Sequence, residues 1–164
     1  FKNLYNNHDV KALHIGVDGC GAPAPFFRLK DIAKLYMDFG ISSDAIYRSL
    51  YKAIVNNPYM IAGKSRFDSF FIDTMKGAGL CKGGGEGVIG LYMKSKPHNQ
   101  IAIALKVEDG NHRARTIAIT NILKKIKALQ PSQQKELDKF CNTDRLNHNR
   151  KKIGFIKTEI SKFI

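Results

Sequence analysis

The sequence lacks the features of a membrane or secreted protein. No apolar run approaches the roughly 18 residues that a membrane-spanning helix requires, and the N-terminus has no apolar core typical of a signal peptide. The three cysteines, Cys20, Cys81 and Cys141, are odd in number and widely spaced, which favours reduced thiols over a disulfide framework. No C-x-x-C pair is present, so a local zinc motif is not supported. We therefore expect a cytoplasmic protein with no membrane partner.

Acidic residues are scarce relative to basic ones. The chain has 14 Asp and Glu against 27 Lys and Arg, which gives a formal net charge of +13. Such a charge attracts nucleic acid without sequence preference. The densest basic stretches, residues 124–127 and 149–152, contain none of the aromatic side chains that single-strand binders use for base stacking. We expect a solvated basic surface with no specific nucleic-acid partner, and a basic nucleic-acid-binding module remains the alternative.

The length and composition are typical of one soluble globular domain covering residues 1–164. Of the 164 residues, 43% are hydrophobic and 25% are charged, and a chain of this size buries about 70% of its unfolded surface in a single core. The predicted helices are residues 29–39, a segment from Ser42 or Ser43 to just before Pro58, and residues 65–77, 112–129 and 131–140. The predicted strands are 88–93 and 100–107, which form an antiparallel hairpin, and 153–160, which could join it. This order predicts an α+β fold in which an antiparallel sheet packs with helices.

Three helix ends carry local signals. Gly40 is expected just beyond the end of the first helix, Ser42 or Ser43 at the N-cap of the second, and Ser65 at the N-cap of the third, with Asp68 three residues later. Residues 58–65 resemble the tail of a phosphate-binding P-loop. However, Pro58 occupies the position of the first glycine and no predicted strand precedes it, so nucleotide binding is rejected there.

Glycine is concentrated in one stretch. Half of the fourteen glycines lie between Gly77 and Gly90, although each costs roughly 0.5–1 kcal/mol relative to Ala. The stretch is predicted to be a turn that leads into strand 88–93, so Cys81, Lys82 and Glu86 would lie where a sheet begins and where backbone can approach a ligand closely. A solvated turn lysine is the commoner arrangement, and a catalytic lysine is the alternative.

A second unusual cluster favours the catalytic alternative. Residues 16–25, GVDGCGAPAP, place Asp18 and Cys20 among glycines and prolines. Because these residues interrupt helices and strands, the segment 18–25 is predicted to be a structured loop. Two such clusters in one chain indicate a site assembled from loops.

With these motifs placed, the sequence resembles the rhizobial-type, thermolabile L-asparaginase family, which is distinct from the asparaginases that use a threonine nucleophile. Four segments occur in the right order, and the resemblance is best over about residues 13–115. The matching segments are residues 16–23 (GVDGCGAP), 60–68 (MIAGKSRFD), 82–88 (KGGGEGV) and 104–110 (ALKVEDG), with Arg113 and Ala114 following.

The resemblance implies a fold similar to that of serine β-lactamases and penicillin-binding proteins, and an activity that releases ammonia from L-asparagine through serine–lysine pairs. It places Lys82 in the catalytic machinery. It implicates Cys20, with Asp18 beside it, in substrate binding and in a zinc site completed by another Cys and a Lys. Gly83 and Glu86 of the same glycine-rich motif are expected to contribute to substrate binding. The family further implies a homodimer and no required cofactor, with zinc bound through Cys20 as an option.

The physical chemistry agrees with a catalytic Lys82. A lysine can take the proton of a serine only if its pKa falls from about 10.4 toward roughly 7–8 through desolvation or a nearby cation. A position walled by glycine backbone would permit that burial. The same glycines would leave room for the amide carbonyl and for backbone N–H donors to its oxyanion.

The chain departs from the family in one respect. The nucleophilic serines of the family precede the Asp-Gly-Cys loop, and only about fifteen residues precede it here. We therefore expect the C-terminal portion of an asparaginase-like domain, with the nucleophile in an absent N-terminal half. A catalytically inactive relative is the alternative. No family nucleophile matches any of Ser42, Ser43, Ser49, Ser65 and Ser69.

Overall fold

A computed structural model describes residues 14–141 and 143–160. It contains helices and small antiparallel sheets, which confirms the predicted α+β class. The strands are β1 (His14–Val17), β2 (Pro23–Phe26), β3 (Gly79–Gly83), β4 (Val88–Ser95), β5 (Asn99–Lys106), β6 (Asp144–Leu146) and β7 (Lys152–Phe155). The helices are α1 (Leu29–Ile41), α2 (Ala45–Asn56), α3 (Tyr59–Ala62), α4 (Phe67–Met75), α5 (Arg115–Lys125) and α6 (Pro131–Leu137), followed by a 3₁₀ turn at Asp138–Phe140. None of the helices in the described ranges is both long and apolar enough to cross a membrane.

The central sheet has the order β3-β4-β5, with antiparallel neighbours throughout. The predicted hairpin is confirmed as β4 and β5, paired from Val88 with Lys106 to Ser95 with Asn99. Alternate residues of a strand face opposite sides. The side of Ile89, Leu91 and Met93 packs with α4 and α5, where the largest apolar cluster lies. This cluster is the core that fixes β3 in place.

Helix α1 covers the opposite face of the sheet through two close approaches. A Cβ atom at Gly90 would lie 2.1 Å from the ring of Tyr36, and a Cβ at Gly40 would lie 2.4 Å from the ring of Tyr92. The prediction that Gly40 ends the helix was therefore wrong. The helix continues to Ile41, and Gly40 is inside it because the Tyr92 ring occupies the space of a side chain.

The N-caps differ from those predicted. Asp44, rather than Ser42 or Ser43, caps α2 and accepts hydrogen bonds from the N–H groups of Ile46 (2.8 Å) and Tyr47 (3.3 Å). Ser65 does not cap α4. Its φ of 58° lies in the left-handed region, Arg66 is at the N-cap, and no side chain caps this helix.

Prolines and glycines concealed two strands. Residues 23–25 belong to β2, which pairs with β1, so the prediction of a loop over 18–25 was wrong for its second half. Pro23 and Pro25 are two residues apart, and their missing N–H groups therefore fall on one edge of a two-stranded sheet. Likewise, Gly79–Gly83 is strand β3, and the predicted glycine-rich turn is limited to residues 84–87.

The C-terminal elements are shorter than predicted. The helix predicted over 112–129 is α5, residues 115–125, and Lys127 beyond it has a left-handed φ of 56°. The helix predicted over 131–140 is confirmed as α6 and the 3₁₀ turn. The last strand, β7, pairs with β6 in a sheet of its own. The prediction that it could join the central hairpin was wrong, because β3 occupies the other edge of β4 and β7 pairs with β6 instead.

Candidate active site

A buried carboxylate lies at the centre of the site. Asp68 is in the first turn of α4 and is 4% exposed, because it shares the inward face of the helix with Phe71, Ile72 and Met75. Its Oδ2 accepts a 2.7 Å hydrogen bond from the backbone N–H of Gly83. This bond ties the start of α4 to the end of β3 and satisfies part of the hydrogen-bonding capacity of the carboxylate.

Lys82 lies beside this carboxylate, on β3. Its Nζ is 3.8 Å from Oδ2 of Asp68 and donates a 2.6 Å hydrogen bond to the carbonyl of Gly83. The side chain is 55% exposed. In the described part of the chain, the glycine backbone therefore does not bury this lysine, and one face of Lys82 is open to a ligand.

Arg115, the first residue of α5, approaches the same carboxylate from the other side. Its Nη2 is 3.9 Å from Oδ1 of Asp68, and the side chain is 13% exposed. Its Nη1 donates to the carbonyls of Gly84 (3.3 Å) and Val88 (3.2 Å). Among the described residues, no acceptor contacts its buried Nε. The guanidinium is thus held rigidly and retains unused donors.

Gly83 makes this arrangement possible. A Cβ atom at this position would lie 2.5 Å from Nη1 of Arg115, far inside van der Waals contact. The Gly83 N–H also donates to Asp68, so it is not available as a donor to an oxyanion. Its observed part in the site is to leave room for the arginine.

These side chains line a cleft of about 410 Å³, which we call the polar cleft. Besides Asp68, Lys82 and Arg115, its lining includes Ser65, Arg66 and His112. Three cationic side chains therefore face one carboxylate across the described lining. Such a cleft favours an anion or a group that becomes negatively charged during a reaction.

A second cleft of about 370 Å³, which we call the apolar cleft, lies against Lys82. Most of its lining is apolar and includes Leu35, Phe39 and Ile54. Tyr36, which also lines it, donates a long 3.4 Å hydrogen bond to the carbonyl of Lys82.

Burial, and to a lesser extent the nearby Asp68, raises the pKa of the Cys81 thiol well above its usual value. Cys81 is therefore a protonated core thiol rather than a nucleophile.

Asp18 and Cys20 lie on the exposed turn between β1 and β2. Asp18 Oδ1 accepts from the N–H of Gly19 at 2.7 Å, and the Cys20 thiol lies 3.7 Å from Asp18 Oδ2. Neither residue lines the polar cleft or the apolar cleft.

Zinc needs about four ligands. In the described ranges, no third His, Cys, Asp or Glu joins Asp18 and Cys20 to form a metal site. Asp18 and Cys20 alone do not supply the ligands that zinc needs, and the proposed reaction gives zinc no role.

Glu86 is at the exposed tip of the β3–β4 turn, with a left-handed φ of 51°. Its carboxylate packs against Gly110, where a Cβ atom would lie 2.5 Å from Oε2, and its backbone carbonyl accepts a hydrogen bond from Lys106 Nζ. It lines neither of the two clefts. Of the predicted site residues, only Lys82 and Gly83 therefore line the polar cleft, whereas Asp18 and Cys20 lie together on the β1–β2 turn.

The sequence analysis missed the two residues that frame Lys82. The sequence analysis interpreted Asp68 as an acidic residue at the start of a helix. Its spacing, however, places it on the same helix face as Phe71, Ile72 and Met75. An acid on the apolar face of a helix is a signal of a buried, partnered carboxylate. Arg115 carries no comparable signal, since its position beside Gly83 depends on packing between distant segments.

The model of the L-asparaginase II family matches this chain over residues 3–158. No curated protein matches it. The family match spans both the polar cleft and the β1–β2 turn, and so it includes every predicted site residue.

Proposed function

The chain belongs to the L-asparaginase II family, as its motifs predicted, and on that premise we propose that it carries part of the active site that hydrolyses the side-chain amide of L-asparagine to aspartate and ammonia. The family match is the observation that carries this proposal. The polar cleft supports it, because a half-exposed lysine is positioned there between a buried carboxylate and a substrate-sized space.

In the proposed reaction, Lys82 is the general base of a serine–lysine pair. Its Nζ takes the proton of a serine hydroxyl, and the serine oxygen attacks the amide carbon. The positive potential of the polar cleft stabilises the oxyanion that forms. The C–N bond then breaks as the lysine returns the proton to the leaving nitrogen, which departs as ammonia. Water hydrolyses the acyl-serine to release aspartate and restore the hydroxyl.

We propose that the serine comes from a segment that precedes the Asp18–Cys20 turn in the family. Ser65 lines the polar cleft, but it matches no family nucleophile. Asp68 is assigned a positioning role, since it holds the Gly83 N–H and faces Lys82. Asp18, Cys20 and Glu86 are proposed to contact the substrate once that segment is in place. The reaction requires no cofactor.

The test is ammonia release from L-asparagine by the full-length product of the gene that encodes this chain. We expect Lys82→Ala to lower kcat about a hundredfold or more because the base is removed. Lys94→Ala is the matched control, since Lys94 is an exposed lysine on neighbouring β4 outside both clefts. Ser65→Ala should retain activity.

Three results would contradict parts of this proposal. Equal turnover by Lys82→Ala and the parent would remove Lys82 from the mechanism. Loss of turnover in Ser65→Ala, with an unchanged unfolding temperature, would move the nucleophile into the polar cleft itself. A folded full-length protein that releases no ammonia would leave the inactive relative as the correct description.

A further inference from the structure

The polar cleft carries more positive charge than the proposed proton transfer requires. Its described lining has Arg66, Lys82 and Arg115 against the single carboxylate of Asp68. Resting on the proposed function, we propose that Arg66 and Arg115 form a subsite that binds the α-carboxylate of the substrate. The subsite would make the protein selective for amides that carry a free carboxylate.

Arg115 is already organised for this task. Its Nη1 is fixed by two backbone carbonyls, whereas Nη2 has Asp68 only at 3.9 Å, which is beyond hydrogen-bond distance. A planar guanidinium offers parallel N–H donors that match a carboxylate. Because the side chain is largely buried, it loses little freedom when it binds.

Arg66 supplies the exposed half of the subsite. Its side chain is exposed, lines the polar cleft and contacts no carboxylate in the part of the chain that the structure describes. It follows Ser65, whose left-handed backbone turns the chain into α4. Because no carboxylate of the described residues pairs with it, this exposed arginine is available for an incoming anion.

The start of α4 adds to the positive potential at this place. The helix begins at Phe67, has no side-chain cap, and Phe67 lines the cleft beside Arg66. Uncapped N–H groups at the start of a helix favour negative charge. This contribution supports the two arginines and would not make a site without them.

Asp68 does not cancel the subsite. One oxygen of its carboxylate is taken by the Gly83 N–H, and its distances of 3.8 Å and 3.9 Å to Lys82 and Arg115 leave both cations able to bind another acceptor. The carboxylate faces Lys82 through one oxygen and Arg115 through the other. A substrate could thus place its carboxylate at the arginines while its amide lies toward Lys82.

The experiment compares L-asparagine with its α-amide, in which a neutral amide replaces the carboxylate. Affinities for the purified chain are measured by titration calorimetry. We expect L-asparagine to bind about tenfold more tightly than the α-amide, because charge-assisted hydrogen bonds are lost with the carboxylate. Arg66→Gln should abolish this preference without unfolding the protein, since the side chain is exposed, and Arg66→Lys should retain part of it.

Arg113→Gln is the matched control. Arg113 is an exposed arginine that pairs with Asp109 at 2.6 Å, and it does not line the polar cleft. The control should keep the preference of the parent. Equal affinity of the parent for both ligands, absence of binding, or a preference that survives in Arg66→Gln would each overturn the subsite.

These outcomes separate the subsite from the proposed function. Carboxylate-selective binding that depends on Arg66, in a full-length protein that releases no ammonia, would retain the subsite and remove the hydrolase. Ammonia release with equal KM values for L-asparagine and its α-amide would do the reverse.

Discussion

The two regions that carry the family motifs differ in how the fold supports them. Lys82 lies on a strand between α4 and β4, above a cluster of fully buried side chains. The turn with Asp18 and Cys20 belongs to a two-stranded sheet whose apolar residues are uncovered, with Val17 79% exposed. This turn is held by its own hydrogen bonds, such as Asp18 N–H to the carbonyl of Ala22 at 2.9 Å. The described core therefore supports the Lys82 side of the site, whereas the Cys20 side is held by hydrogen bonds within its own turn.

The largest test of this difference is truncation of an apolar side chain in each region. Leu91→Ala removes a fully buried core side chain on β4, and we expect it to lower the free energy of unfolding by about 2–5 kcal/mol. Val17→Ala on β1, beside the Asp18–Cys20 turn, affects a side chain that is 79% exposed, so a change within about 0.5 kcal/mol is expected. Urea unfolding measures both. Comparable losses would mean that the exposed apolar surface contributes as much as the core.

A smaller effect is expected from glycines of the same motif. Gly83→Ala forces a Cβ atom to within 2.5 Å of Arg115, and we expect a loss of about 1–3 kcal/mol from overpacking. Gly85→Ala is the control, because no atom lies within 4 Å of the Cβ it adds. Thermal unfolding of both variants checks this. If Gly83→Ala were as stable as Gly85→Ala, the close approach of Arg115 would not be a feature of the protein.

The smallest effect concerns alkaline stability. Burial, and after it the neighbouring Cys81 and Asp68, raises the pKa of the Tyr36 phenol above its usual 10.0. A group with a raised folded pKa contributes stability that is present below the unfolded pKa and lost as pH rises through the folded one. Between pH 8 and pH 11, the parent should therefore lose about 1.4 kcal/mol more of its unfolding free energy than Tyr36→Phe.

Tyr59→Phe is the control for this measurement, because Tyr59 is 57% exposed and should follow the parent. Urea titrations at the two pH values give the unfolding free energies. An identical alkaline loss in Tyr36→Phe and the parent would show that this phenol is not buried as described.

Much of the fold could be predicted because periodicity is a local property. The alternation of Ile101, Ile103 and Leu105 identified β5. The four-residue spacing of Ile46, Leu50 and Ile54 identified α2, although Ile46 is 69% exposed and Leu50 is 49% exposed. Strands β2 and β3 were missed because proline and glycine were interpreted as breakers. Proline interrupts a strand only where its N–H group is needed for pairing, and an edge strand pairs through the groups on one side only.

The site could be predicted only in part for a related reason. Lys82 and Gly83 were found from their motif, but the contact that organises them comes from Asp68, on another element. Arg115 is 33 positions beyond Lys82 in the chain, and its Nη1 donates to the carbonyl of Gly84 in the glycine turn. Tertiary contacts of this kind leave no periodic signal, although the position of Asp68 on an apolar helix face was visible in the sequence.

The reciprocal fit of α1 onto β4 restricts how this sequence can change over time. Each of two tyrosine rings fills the space that a side chain would take at a glycine on the partner element, Tyr36 over Gly90 and Tyr92 over Gly40. A substitution that enlarges one of these glycines is therefore accommodated only with a smaller residue at the matching tyrosine. The four positions therefore form two coupled pairs. Substitutions at this contact should occur together within a pair rather than singly.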